Sequence, residues 1–261
     1  MRIDSHLHVW SFNAVEYYYY KPLIEYLELL NIDKCSLIAI NEEENTQVKE
    51  LVSKFPSKFF GLAYVNLLTL DWSLDQLRMG VKEGYFKGVK ILSYMGCFGI
   101  TDPKCMKIYD VCNELEVPVL FHVGWHNSGS VVPTEVAEGS NACCYKNVGL
   151  PVELGTVMEA YPNMKAVFAH MGGNYYFECL GIAQRFPNVY LDTAWLEHYA
   201  VEQYPGVSIS TWIEHACKYL GSDRILYGGE YTLPVDIQSS KITENDKRLI
   251  MGENAASLYK V

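Results

Sequence analysis

Val117-Pro118-Val119-Leu120-Phe121-His122-Val123 is apolar at every position but one. A strand with one wet face alternates apolar and polar residues. A strand covered on both faces, as in a parallel sheet, runs continuously apolar. Seven further β-rich runs flank this one: Arg2–His6, Cys35–Ile40, Phe59–Val65, Gly88–Leu92, Ala166–His170, Val189–Thr193 and Ile225–Glu230. Helical patterns fill the gaps. Pro22–Leu30 places Leu23, Tyr26, Leu27 and Leu30 on one face, and Thr46–Phe55 does the same with Val48, Leu51, Val52 and Phe55. Leu70–Gly84 carries Leu74, Leu77 and Val81, with Asp71 read as its cap. Asp102–Leu115 has Pro103 in its first turn and Ile108, Val111, Cys112 and Leu115 at helical spacing. Leu150–Tyr161, Gly173–Phe186 and Ser208–Leu220 continue the alternation, and Thr243–Met251 and Asn254–Tyr259 close the chain. Strands alternating with helices imply right-handed βαβ units and a parallel sheet. Eight units in 261 residues predict one (β/α)8 TIM barrel, class α/β, spanning 1–261 as a single domain. A doubly wound open sheet fits less well, given the count of eight and the lack of a Gly-x-Gly-x-x-Gly turn. The longest connection, Gly124–Gly149, is the expected lid or binding loop.

Composition narrows the partners. The chain is 49% hydrophobic and 20% charged, with a formal net charge of −10. Nucleic acid and anionic membranes both call for a basic patch, so neither is an expected partner. A small-molecule substrate is. No apolar run reaches membrane-spanning length. The eight cysteines form no Cys-x-x-Cys pair, and the polar start reads directly into a strand rather than a signal peptide. Reduced thiols in a cytoplasmic protein are therefore the expectation.

The chemistry lies in the residues that end each run, because barrels of this kind place their sites at the carboxyl ends of the strands. The first run, Ile3-Asp4-Ser5-His6-Leu7-His8, ends in two histidines. Side chains at i and i+2 leave one face of a strand, so His6 and His8 aim at one spot and form half of a zinc-like site. Lys90 stands in the fourth run, His122 ends the fifth and His170 the sixth, Asp192 ends the seventh and Glu230 the eighth. Each alone reads equally well as a capping or hydrogen-bonded side chain. All of them facing one mouth, each carrying a burial cost unless paired or metal-bound, points to a site.

Those stretches, with Gly221-Ser222-Asp223-Arg224-Ile225-Leu226-Tyr227-Gly228 and Gly252-Glu253-Asn254-Ala255-Ala256, resemble the amidohydrolase superfamily nearly end to end. The similarity is to its amidohydrolase-related (amidohydrolase 2) subgroup, which includes aminocarboxymuconate-semialdehyde decarboxylase-like enzymes. The resemblance implies that His6, His8, His122 and the acid ending strand eight bind one divalent metal. It also implies that His170 is a further ligand or the base that handles a proton. The family usually ends strand eight in Asp; Glu230 keeps the carboxylate and adds about 1.5 Å of reach, which leaves Glu230 as ligand, base or neither.

Three nitrogens and one oxygen suit Zn²⁺ ahead of Mn²⁺ or Fe²⁺. Such a site lowers the pKa of a bound water towards ~7. The first expectation is thus a metal-dependent hydrolase that opens an amide, lactone or ester of a small, carboxylated substrate. The proton acceptor would be His170 or Glu230. The alternatives are a non-oxidative decarboxylase of the same architecture, or an inactive barrel that only binds metal or ligand. Asp4 and Asp192 are read as supports that orient a ligand from behind. Lys90, Trp10, Trp125 and His126 are the candidate substrate contacts, and a homodimer is compatible with such a barrel.

Overall fold

Each apolar run that the sequence marks as a strand pairs in parallel with the one before it. A computed structural model describes residues 1–9, 23–93, 98–124, 149–203 and 205–261. In it the strands are β1 (Ile3–Asp4), β2 (Lys34–Ile38), β3 (Phe59–Ala63), β4 (Phe86–Ile91), β5 (Val119–Phe121), β6 (Ala166–Phe168), β7 (Val189–Asp192) and β8 (Ile225–Leu226). They form one sheet in sequence order. The backbone N–H of Ser5 donates to Tyr227 O at 2.9 Å, and the Ser5 hydroxyl donates to the same oxygen at 2.8 Å. Those bonds carry the eighth strand back to the first. The architecture is the TIM barrel that the alternation predicts.

The strands are shorter than the apolar runs for a local reason. Pro118 has no N–H for the ladder, and Val117 donates instead to Cys112 O at the end of the preceding helix. Beneath the continuous apolar runs the period of two survives. Ile38, Phe60, Leu62, Leu120, Val167 and Leu226 pack inside the barrel. Their sequence neighbours Leu37, Phe59, Phe121, Phe168 and Ile225 pack outward, with the helical residues Leu77, Ile108, Val157 and Ile213. Both faces are dry, so the sequence shows no alternation.

The helices mostly follow the predicted spacing. In Pro103–Glu114 the Asp102 side chain accepts from Lys104 N and Pro103 occupies the first turn. The cap expected at Asp71 is corrected: helix Leu70–Lys82 starts after Thr69, and Asp71 lies within its first turn. The Thr69 hydroxyl is engaged with Glu42 and Ser73 rather than with the helix end. Asp71 still favours the helix through the positive end of its dipole. Helices Leu196–Glu202 and Pro234–Ser239 had no sequence signal, each being too short to show a period. Among the described residues no helix is long and apolar enough to cross a membrane.

The amino-terminal end of the barrel is stoppered by helix Asn254–Tyr259, whose Ala255, Leu258 and Tyr259 join the inner cluster. The Tyr259 ring lies 5.1 Å from that of Phe60. Its hydroxyl is buried with no hydrogen-bond partner among the described residues. A buried orphan hydroxyl costs about 1–3 kcal/mol, whereas loss of a buried aromatic ring costs about 3–5 kcal/mol. Tyr259→Phe is therefore expected to hold or raise the thermal midpoint, and Tyr259→Ala to lower it sharply, as read by calorimetry.

Candidate active site at the carboxyl ends of the strands

The inward positions change character one step above the apolar layer. Leu120 gives way to His122, Tyr190 to Asp192 and Gly88 to Lys90. His6, His8, Lys90, His122, His170, Asp192 and Glu230 are all buried. His8 extends β1 through a parallel bridge to Ile38, which keeps the two-residue spacing, and its ring lies 5.7 Å from that of His6. Ligand atoms of His6, His8 and Glu230 lie within 4.8 Å of one another, as do those of His6, His170 and Asp192. His122 meets this group through His170, its Nδ1 being 3.2 Å from His170 Nε2.

Three of the four histidines, His6, His122 and His170, have one ring nitrogen against an acceptor. His6 Nδ1 is 2.7 Å from Asp192 Oδ2, His170 Nδ1 is 2.9 Å from Ala194 O, and His122 Nε2 is 3.1 Å from Gly124 O. Carbonyls can only accept, as can an ionised carboxylate, so those nitrogens carry the protons. The lone pairs of the neutral rings then sit on His6 Nε2, His122 Nδ1 and His170 Nε2. The last two face each other at 3.2 Å, a gap stabilised by a shared proton or a cation. Glu230 Oε2 lies 3.7 Å from His6 Nε2. This donor set fits a divalent metal ion.

Asp192 has a second task. Its Oδ1 accepts from the backbone N–H of His170 at 2.8 Å and of Ala194 at 3.1 Å. The chain leaves β6 through left-handed backbone, with φ of 60° at His170 and 51° at Met171, then through Gly172 and Gly173. Glycine takes that region freely; His170 does not, and the bond to Asp192 helps hold it there. Asp192 thus touches both the ring of His6 and the backbone of His170. Asp4 meets His6 at its backbone: its Oδ1 accepts from the backbone N–H of His6 rather than from the ring. Trp10, Trp125 and His126 lie outside the described residues.

Lys90 Nζ is 3.3 Å from His6 Nε2. Burial pulls the Lys90 ammonium down to about 8, opposed by the charges of Asp192 and Glu230. Burial also pushes Asp192 upward, against the pull of His170 and Lys90, and holds His6 well below its usual range, helped by Lys90. Sequence reasoning passed over an aromatic wall beside His170. The Trp195 ring lies 6.4 Å and the Tyr199 ring 5.7 Å from His170, and Tyr231 lies 4.9 Å from Trp195. Trp195 and Tyr231 follow the ends of β7 and β8 with φ of 60° and 53°. Their place just after a strand end was the available signal.

A family model described as Amidohydrolase matches residues 36–261. A 2-amino-3-carboxymuconate-6-semialdehyde decarboxylase from Dictyostelium discoideum is 24% identical over 249 residues, 81% of this chain and 64% of that protein. The chain thus spans under two thirds of that relative's length. An uncharacterised TIM-barrel protein from Bordetella bronchiseptica superposes with a TM-score of 0.73 at 16% identity, over 99% of this chain and 98% of that one. A 2,6-dihydroxybenzoate decarboxylase from Rhizobium gives 0.68 at 15%, over 99% and 98%. A 5-carboxyvanillate decarboxylase from Novosphingobium aromaticivorans, solved with bound manganese, gives 0.68 at 15%, over 100% and 97%. At these identities the structural likenesses speak to the fold.

Asp192→Asn keeps an acceptor for the two backbone N–H groups but sets an amide NH₂ against the His6 Nδ1 proton. In chemical denaturation it is expected to cost about 1–3 kcal/mol, and Asp192→Ala about 3–5 kcal/mol.

Proposed function

The chain belongs to the amidohydrolase family, and on that premise we propose that it is a metal-dependent decarboxylase of a small unsaturated or aromatic carboxylic acid. His6, His8, His122 and Glu230 would hold the metal, with zinc the best match to three imidazoles and a carboxylate. The observation that carries the reading is the buried Lys90 ammonium beside the inward nitrogen of His6. A cation there gives a substrate carboxylate its counter-charge. Decarboxylation is favoured over the hydrolysis expected from sequence because the curated relative is a decarboxylase, as are two of the fold relatives.

When bound, the metal supplies a Lewis acid that anchors and polarises substrate oxygens. The chain's own residues do the rest. Lys90 pairs with the carboxylate. His170, its Nδ1–H held by Ala194 O, presents Nε2 to the mouth; as imidazolium it delivers a proton to the carbon that bears the carboxylate. The new C–H bond replaces the C–C bond, whose electron pair restores the π system as carbon dioxide leaves. Buried walls keep water from competing for that proton.

Elemental analysis is expected to find about one divalent metal per chain, lost in His6→Ala and reduced in Glu230→Ala. His170→Gln should keep the metal and lose about 10²–10⁴-fold in kcat. Carbon dioxide evolved from a panel of aromatic and muconate-type acids supports the reading. Metal-stimulated opening of lactones or amides without carbon dioxide overturns it in favour of a hydrolase.

A further inference from the structure

Asp4 belongs to the run that carries His6 and His8, yet its side chain touches neither ring among the hydrogen bonds it makes. It is fully buried. Its Oδ1 accepts two backbone protons at once, from His6 N at 3.0 Å and from Gly229 N at 2.8 Å. Those two residues sit on opposite sides of the seam where the barrel closes. His6 is itself one candidate ligand, and Gly229 precedes another, Glu230.

The ladder does not reach this level. β1 ends at Asp4 and β8 at Leu226, so both ligands lie beyond regular pairing. Further down, the seam is fixed by Ser5 on Tyr227 O. At the height of the ligands one carboxylate oxygen bonds to both sides of it. Residue 229 must also be small. A Cβ there would lie 2.0 Å from Asp4 Oδ2, 2.9 Å from Asp4 Cγ and 2.9 Å from the Tyr227 hydroxyl. Asp4 Oδ2 has no hydrogen-bond partner among the described residues. A buried polar atom left unsatisfied calls for a reason, and the bridge made by Oδ1 supplies one.

We infer that Asp4 is a positioning residue that sets the spacing of His6 and Glu230 across the barrel seam, and that Gly229 is the counterpart that makes room for it. The inference rests on the proposed metal ligation by His6 and Glu230. It assigns Asp4 no contact with metal or substrate. Loss of the Oδ1 bridge lets the two ligand-bearing segments move apart, while an amide oxygen at the same place holds them together.

The test is zinc affinity of folded, metal-stripped protein, measured by chelator competition, with circular dichroism and the thermal midpoint of the metal-free form recorded alongside. Asp4→Asn keeps Oδ1 and should bind zinc within about threefold of wild type. Asp4→Ala should bind about 10–100-fold more weakly, the range for losing a group that supports ligands from behind. Gly229→Ala should do likewise, its Cβ driving the Asp4 carboxylate away. The double variant Asp4→Ala/Gly229→Ala should be no weaker than Asp4→Ala alone, since the atom in the way is gone. Asp4→Ala with wild-type zinc affinity, or Asp4→Asn as weak as Asp4→Ala, overturns the inference. If Asp4→Ala fails to fold, Gly229→Ala decides, because it leaves the carboxylate in the chain; unchanged affinity there also overturns it. Wild-type protein that binds no zinc, or binding untouched by His6→Ala, counts against the ligand assignment instead.

Discussion

One buried carboxylate, Asp192, ties the site together. Its two oxygens hold the ring of His6 and the backbone of His170 and Ala194. A carboxylate taken out of water is costly unless its charge and lone pairs are met. Here they are met by an imidazole N–H and two backbone N–H groups, with Lys90 nearby. The bond to His6 settles which nitrogen of that ring faces the mouth. The bond to His170 helps keep a non-glycine residue in left-handed backbone and so aims the second imidazole. With Gly124 O fixing His122 and Ala194 O fixing His170, the inward nitrogens are the unprotonated ones.

The barrel was legible because its strands are dry on both faces. That property erases the alternation of period two and leaves continuous runs such as Val117–Val123, which could be counted. Strand ends were less legible. Pro118 and the turns that follow each strand decide them, and neither reads as hydropathy. The short helix Leu196–Glu202 left no periodic trace.

The site was legible to the extent that polar residues stand out against apolar runs. His6, His122, His170, Asp192 and Glu230 are conspicuous for that reason. What each one does was not. Asp4 and Asp192 look alike in sequence, both being acids on strand ends, yet Asp192 holds a histidine ring as well as backbone N–H groups, and Asp4 bonds to backbone N–H groups. That difference depends on which atom lies across the barrel, and no spacing within a strand reports it. Trp195 and Tyr231 were passed over because aromatic residues are ordinary in a core. Their place just after a strand end and their left-handed backbone beside the mouth set them apart.

The measurement closest to the central claim is anomalous diffraction at the zinc edge from crystals grown with zinc. A single strong peak about 2.0–2.2 Å from His6 Nε2 and His122 Nδ1, with Glu230 in reach, is the predicted result. A peak elsewhere on the chain, or zinc bound by His6 alone, would contradict the convergence of these imidazoles on one ion.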